Sequence, residues 1–348
     1  MHLNFLDTNP SMIKSPLASK KIAVVGASGN VGRVILSLLN SKGVQSNNIR
    51  VLSSSRSAGE VIEYGSDCLA LSSLDGFNFE GTDLAFFAAS SEVSKVYVPL
   101  AVSKGVIVID KASLFRMECD VPLIVPEVNG DLLKNPLPRG IVASPNCSTI
   151  PLVVALSVFQ KLSPLKRVVV STYQSVSGAG KKGVDELSYQ TQDYFKSVGP
   201  YPRAFHKPIA FNLIPQIDFF LDNGDTKEEQ KMAAETPKIL GVPLALTATC
   251  VRVPVFVGHS MAVNVECMEN IDLPALRQAL QNQEGLKVID NPAKYEYITP
   301  LECAGKNEIF LSRLRIDSTR SNTFNFWLAC DNLLKGAALN AIQIAERL

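Results

Sequence analysis

Along the first 110 positions, apolar residues fall in short unbroken blocks divided by glycine turns and amphipathic stretches. Ile22-Ala23-Val24-Val25 is such a block. A glycine-rich turn follows it, and Val31 to Leu39 then carries its apolar residues at helical spacing. A short continuous apolar run reads as a strand buried on both faces of a parallel sheet, and a three-to-four-residue repeat reads as an amphipathic helix. Further strands are expected over Ile49 to Ser53, Leu84 to Ala88 and Val106 to Ile109, with a helix over Glu92 to Lys104. Strands and helices alternating at this spacing predict an α/β, doubly wound Rossmann-type nucleotide domain.

Past Cys147 the pattern lengthens. Alternating segments run over Arg167 to Gln174, Ala245 to Phe256 and Ala262 to Met268, with helices near Lys182 to Phe195 and Thr226 to Leu240. That mixture predicts an α+β second domain on a large mixed sheet. The expected organisation is a loose N-terminal extension (1–19), a nucleotide-binding domain (20–146) completed by an amphipathic C-terminal helix (331–348), and a second domain (147–330).

The formal net charge of +1 gives no electrostatic case for nucleic acid or a membrane surface, so a small-molecule partner is the default. The seven cysteines are odd in number and never form a C-x-x-C pair, which argues against a disulfide framework or a metal site and for a reducing cytoplasm. No run approaches the ~20 apolar residues that span a bilayer, and Met1 to Ser19 has no export signal.

Gly26-Ala27-Ser28-Gly29-Asn30-Val31-Gly32 sits directly after the first strand and opens a helix. Gly26, Gly29 and Gly32 let the backbone approach a pyrophosphate, with Ser28, Asn30 and Val31 beside it; the alternative is a tight turn with no ligand. An acidic residue near the end of the second strand would select NAD by binding the ribose 2′-OH. None occurs between Arg33 and Gly59. Ser53, Arg56 and Ser57 stand there instead, a guanidinium fork with hydroxyls, which favours NADP; a solvated loop is the alternative.

Cys147 lies at the start of the helical run Ile150 to Phe159, where helix dipoles and unpaired N–H groups favour a thiolate and can hold an oxyanion. An inert buried thiol is the plainer reading. His259, placed after Gly258 at the end of a strand carrying Arg252, has the pKa to take a thiol proton and return one, although a lone histidine is more often structural.

Several motifs together carry a specific resemblance. They are Gly26 to Gly32, S-x-R-S-A-G around Arg56, S-P-N-C-S-T around Cys147, Ser171-Thr172-Tyr173-Gln174 with Ser177-Gly178-Ala179-Gly180, T-K-E-E-x-K from Thr226 to Lys231, V-R-V-P-V-x-x-G-H-S ending after His259, and Asp331-Asn332-Leu333-Leu334-Lys335-Gly336. With these the chain resembles the aspartate-β-semialdehyde dehydrogenase family. The resemblance implies NADPH-dependent reduction of 4-aspartyl phosphate to aspartate 4-semialdehyde, in the route to lysine, threonine and methionine. It implies Cys147 as the nucleophile that forms a thioester and His259 as acid and base.

On the substrate, it implies Arg252 at the carboxylate, Gln174 and Asn146 as hydrogen-bond partners, Glu228 at the ammonium, and Lys231 with Arg116 at the phosphate. Glu228 is preferred to Glu229 because it shares a helix face with Lys231. Ser177, Gly178 and Asn332 are implied at the cofactor, and a homodimer or homotetramer through the second domain. Two positions depart from the family pattern: Ser144 stands where Asn is usual, and Lys111 follows Asp110. The competing readings are an N-acetyl-glutamyl-phosphate reductase-like enzyme, which needs no ammonium-binding Glu228, and a catalytically silent NADP-binding relative.

Overall fold

The computed structural model describes residues 15–196, 199 and 201–348. It divides into two units, one running to Pro145 and resuming over Ala337–Leu348, the other spanning Asn146–Gly336.

The first unit contains β1 (Ile22–Val25), β2 (Ile49–Ser53), β3 (Val61–Tyr64), β4 (Asp67–Ala70), β5 (Ser72–Ser73), β6 (Leu84–Phe87), β7 (Ile107–Asp110) and β8 (Ile141–Ala143). Six of them form one parallel sheet in the order β5-β2-β1-β6-β7-β8, and β3 with β4 forms a separate antiparallel hairpin that the apolar pattern did not announce. β1 and β6 are buried at every residue, as their unbroken apolar sequences require. Helices α1 (Asn30–Ser41), α2 (Ser91–Ser103) and the short α3 (Pro126–Asn129) connect them. α1 buries Ile35, Leu36, Leu38 and Leu39.

Both ends of this unit differ from expectation. Residues 16–19, expected to be loose, form a 3-10 turn with Leu17 buried, and Ser15 Oγ donates to Glu346 Oε1 at 3.0 Å. His2 and the rest of residues 1–14 lie outside the described residues. The C-terminal helix does not start at Asp331. Asp331 Oδ1 accepts from Leu333 N and Leu334 N, a π-helical turn follows over Leu334–Ala338, and the helix proper is Leu339–Ala345. From that helix Asn340 Nδ2 donates to Ile124 O at 3.1 Å and to Ser144 Oγ at 3.3 Å, so the serine found in place of asparagine is a buried partner of the C-terminal segment.

The second unit holds α4 (Thr149–Leu162), β9 (Leu165–Gln174), α5 (Lys181–Phe195), α6 (Lys227–Leu240), β10 (Ala245–Arg252), β11 (His259–Cys267), α7 (Leu273–Gln281), β12 (Leu286–Val288), β13 (Ile309–Ile316) and β14 (Thr323–Cys330). Its mixed sheet runs β10-β9-β11-β14-β13-β12. β10 ends at Arg252, short of the expected Phe256, because Pro254 has no N–H for a ladder. β12, β13 and β14 lacked a clean alternation and went unanticipated. α4 is apolar all round and buried from Thr149 to Phe159, as a core helix must be.

Sheet register places the chemistry. Arg252 pairs beside Gln174 in the parallel β10–β9 ladder, Ser260 beside Tyr173, and His259 opposite Cys330. Gln174, Arg252, His259 and the Asp331-Asn332 segment therefore meet at one end of the sheet.

Candidate active site

In the first unit, β1 feeds a turn in which Gly26 has φ +81° and a Cβ would lie 2.3 Å from Ala88 O; at Gly32 it would lie 2.2 Å from Gly26 O. Only glycine fits either place. Gly29 caps α1 without a side-chain hydrogen bond, and the first turn holds no acidic residue, so its N–H groups are available to an anion. Ser28, Asn30 and Val31 are half-buried around this turn. Beyond β2, Ser53 is buried with its hydroxyl on Ser54 O, Ser57 is half-buried, and Arg56 is exposed on the 3-10 turn Ser55–Ser57. The loop fits a dinucleotide pyrophosphate.

At the end of β7, Asp110 Oδ1 accepts from Ser94 Oγ and Ala112 N, both at 2.9 Å. Burial pushes its carboxyl up to about 6, against the pull of those hydrogen bonds and of the Arg116 and Lys111 charges. Arg116 is buried, and its Nη2 donates to Lys111 O at 2.6 Å.

In the second unit Cys147 is half-buried before α4, but it does not cap the helix. Asn146 does. Its Oδ1 accepts from Ser148 N at 2.8 Å and Thr149 N at 3.4 Å, and its carbonyl accepts from Ile150 N at 3.1 Å. The amides of Ser148 and Thr149 are thus met by Asn146, an amide oxygen being a far better acceptor than sulfur. Asn146 is itself fixed: its N–H donates to Glu235 Oε2 at 2.7 Å, and its Nδ2 donates to Glu228 Oε1 at 2.9 Å.

Glu228, Lys231 and Glu235 project from one face of α6, spaced three and four residues apart. Glu228 is buried and accepts from Asn146 and, at 3.1 Å, from Gln174 Nε2 on Oε1, while Lys231 Nζ reaches Oε2 at 3.2 Å and Asp218 Oδ2 at 2.8 Å. Burial pushes Glu228 up, but Lys231, the two amides and Arg252 together hold it below the usual carboxylate range. Burial pulls Lys231 down, and Glu228 with Asp218 more than reverses this. Glu229 does other work: it completes a capping box with Thr226 and accepts from Cys250 N.

Arg252 is buried, with Nη1 donating to Ser175 O at 2.8 Å, and burial lowers its pKa. His259 is fully buried. Its Nδ1 lies 3.1 Å from both Ser175 N and Ser175 Oγ, and burial followed by the Arg252 charge pushes it well below the ordinary histidine range. Since a peptide N–H only donates, Nδ1 is an acceptor in this structure. Asn332 ties the surroundings together: Oδ1 accepts from Ser175 Oγ, Ser177 Oγ and Gly258 N, and Nδ2 donates to Ser177 Oγ. Ser177 and Asn332, expected at a cofactor, hydrogen-bond to one another.

The matches to known proteins agree with one another. A model described as semialdehyde dehydrogenase, NAD binding domain, matches residues 21–135, and one described as semialdehyde dehydrogenase, dimerisation domain, matches residues 156–335. The aspartate-semialdehyde dehydrogenase of Rickettsia bellii is 46% identical over 327 residues, covering 94% of this chain and 97% of the relative; that of Bacillus subtilis is 43% identical over 337 residues, covering 94% and 96%. The chain belongs to the aspartate-semialdehyde dehydrogenase family. A crystal structure of aspartate semialdehyde dehydrogenase II from Vibrio cholerae, complexed with ASA, is 40% identical with a TM-score of 0.91, covering 94% of this chain and 98% of that one.

This aspartate-semialdehyde dehydrogenase family member keeps its other core thiols inert. Burial pushes Cys250 and Cys330 up, Cys267 to about 11 and Cys303 to about 12. Cys147 stays half-buried, and its ionised form attracts the Arg252 guanidinium. Beside Arg252 lies a cavity of about 410 Å³ lined by Phe205, Ile214, Asp218 and Phe219 among others. Sequence reasoning missed Ser175, Asp218 and Glu235. For Glu235 a signal existed, since it recurs seven residues after Glu228 on the same helix face.

Proposed function

We propose that the chain reduces 4-aspartyl phosphate to aspartate 4-semialdehyde through a thioester on Cys147. The observation that carries this is a half-buried Cys147 within electrostatic range of Arg252, in a core whose remaining buried thiols are held protonated. Arg252 pairs with the substrate carboxylate. Glu228 Oε2 has capacity for one more donor beyond Lys231 and takes the ammonium, Gln174 and Asn146 orient the reacting group, and Lys231 meets the phosphate.

The sulfur attacks the acyl carbon and phosphate leaves with the electron pair of the broken C–O bond. The proton lost by the thiol balances the one gained by the departing phosphate. A nicotinamide cofactor on the Gly26 to Gly32 loop supplies, when bound, the hydride that reduces the thioester. The hemithioacetal on Cys147 then collapses, releasing aldehyde and thiolate, with His259 as the neighbouring acid–base group. NADP is preferred because Arg56 offers its fork to a 2′-phosphate and no acidic side chain opposes it.

The matched dimerisation domain supports a homodimer or homotetramer, and seven cysteines with no C-x-x-C spacing suit a reducing cytoplasm. The test runs the reaction backwards: NADPH should appear when the protein oxidises aspartate semialdehyde, and only with phosphate present. Oxidation independent of phosphate, or equally fast with NAD, would contradict the proposal.

A further inference from the structure

We infer that Glu235 is the positioning residue of the Cys147 turn: its carboxylate fixes the peptide plane that leads into the turn, so the nucleophile keeps its place when Glu228 exchanges partners with a substrate. The inference rests on the thioester reading above and adds a residue to it.

The turn is held through Asn146, whose backbone and side-chain polar groups are all engaged. Its N–H donates to Glu235 Oε2 at 2.7 Å and its Nδ2 to Glu228 Oε1 at 2.9 Å, while Oδ1 accepts from Ser148 N and Thr149 N and the carbonyl accepts from Ile150 N at 3.1 Å. Side-chain bonds alone would leave the backbone able to turn about its two soft dihedrals. Those dihedrals join two rigid peptide planes. Ile150 N holds the plane that leaves Asn146 toward Cys147, and Glu235 holds the one that enters from Pro145. With both planes fixed, so is the Cα of Cys147. Gly336 bounds the same residue: a Cβ there would lie 3.4 Å from Cys147 Cβ and 3.2 Å from its carbonyl oxygen, so Cys147 is packed as well as tethered.

The two carboxylates on this face of α6 divide the work. Glu228 accepts from Asn146 and Gln174 on Oε1 and meets Lys231 on Oε2, and it is the group assigned above to the substrate ammonium. An arriving cation competes for those oxygens. Glu235 is buried, and its Oε2 grips a backbone N–H that takes no part in that exchange.

Reach, not charge, is what the position requires. A carboxylate bonded to the residue next to a thiol disfavours the thiolate, so the charge of Glu235 works against the nucleophile while its length works for it. A neutral oxygen that reaches Asn146 N should therefore serve nearly as well. A charged one that falls short should fail.

The test compares Glu235→Ala, Glu235→Asp and Glu235→Gln in the full-length protein, by steady-state oxidation of aspartate semialdehyde with phosphate and NADP and by residue-resolved hydrogen exchange at the Asn146 amide. Glu235→Ala and Glu235→Asp should each lower kcat about 10- to 100-fold with KM within about twofold of wild type, and Glu235→Gln should restore kcat to within about threefold. Exchange at Asn146 should be slow in wild type and Glu235→Gln, and at least ~10-fold faster in the other two.

Wild-type kcat in Glu235→Ala overturns the inference. So does a loss expressed in KM, which would mark a substrate contact, or recovery by Asp in place of Gln, which would mark a need for charge. If the Ala and Asp variants do not fold, Glu235→Gln decides: kcat and exchange near wild type support the inference, and a loss as large as that expected of Ala, or fast exchange in wild type itself, overturns it. Wild-type turnover that survives complete alkylation of Cys147 by iodoacetamide would instead overturn the thioester reading.

Discussion

The glycine loop of the first unit is seven consecutive residues, Gly26 to Gly32, whereas the proposed thiol site of the second gathers Asn146, Cys147, Gln174, Glu228, Arg252, His259 and Asn332 from separate segments. The loop works by what is missing: no Cβ at two close backbone approaches, no cap on α1. The thiol site works by what is already satisfied. Glu228 is bonded to Asn146 and Gln174, and Asn332 to Ser175, before any substrate arrives, so their positions are set in advance. A contiguous site tolerates little change at any one residue, and a dispersed one depends on the register of the sheet beneath it.

Replacing the proposed nucleophile separates the two most sharply. Cys147→Ser should lower turnover at least ~1,000-fold while leaving NADPH affinity unchanged, read by steady-state kinetics and fluorescence titration. A parallel loss of cofactor affinity would mean that the sites are not independent. On the other side of the comparison, Arg56→Ala should weaken NADPH about 10- to 100-fold and NADH hardly at all. Equal losses would remove the 2′-phosphate assignment.

Gly26→Ala places a methyl 2.3 Å from a carbonyl oxygen at a positive φ, and should destabilise the first unit by about 1–3 kcal/mol in chemical denaturation, with loss of cofactor binding. A variant as stable as wild type would show that the loop is slack.

A pH-dependent effect concerns Asp110. Its folded-state pKa is raised from 3.8 to about 6, so its protonated form is favoured in the fold: that stability is present below pH 4 and lost as pH rises through 6, amounting to roughly 3 kcal/mol if fully expressed. Asp110→Asn should therefore gain stability relative to wild type between pH 4 and 7, measured by urea denaturation. A constant difference across that range would contradict the buried-carboxyl account.

The sequence showed the first unit well because unbroken apolar strands and a glycine loop are local signals. β1, β2 and α1 appear within a residue or two of their expected places. The second unit was legible in outline only. Its β13 mixes two arginines with apolar residues, and the joining of Gln174 to Arg252 is set by strand pairing, which no local pattern states. Residue types at the thiol site were readable, but their hydrogen-bond partners were not: nothing in S-P-N-C-S-T says that Asn146 takes the amides of Ser148 and Thr149, or that Ser175 holds His259 through its backbone.

The most direct test is mass spectrometry of protein quenched after mixing with 4-aspartyl phosphate in the absence of cofactor. An aspartyl adduct on the peptide containing Cys147, and on no other cysteine peptide, is the predicted result. An unmodified Cys147, or an adduct on a different thiol, would contradict covalent catalysis by this residue.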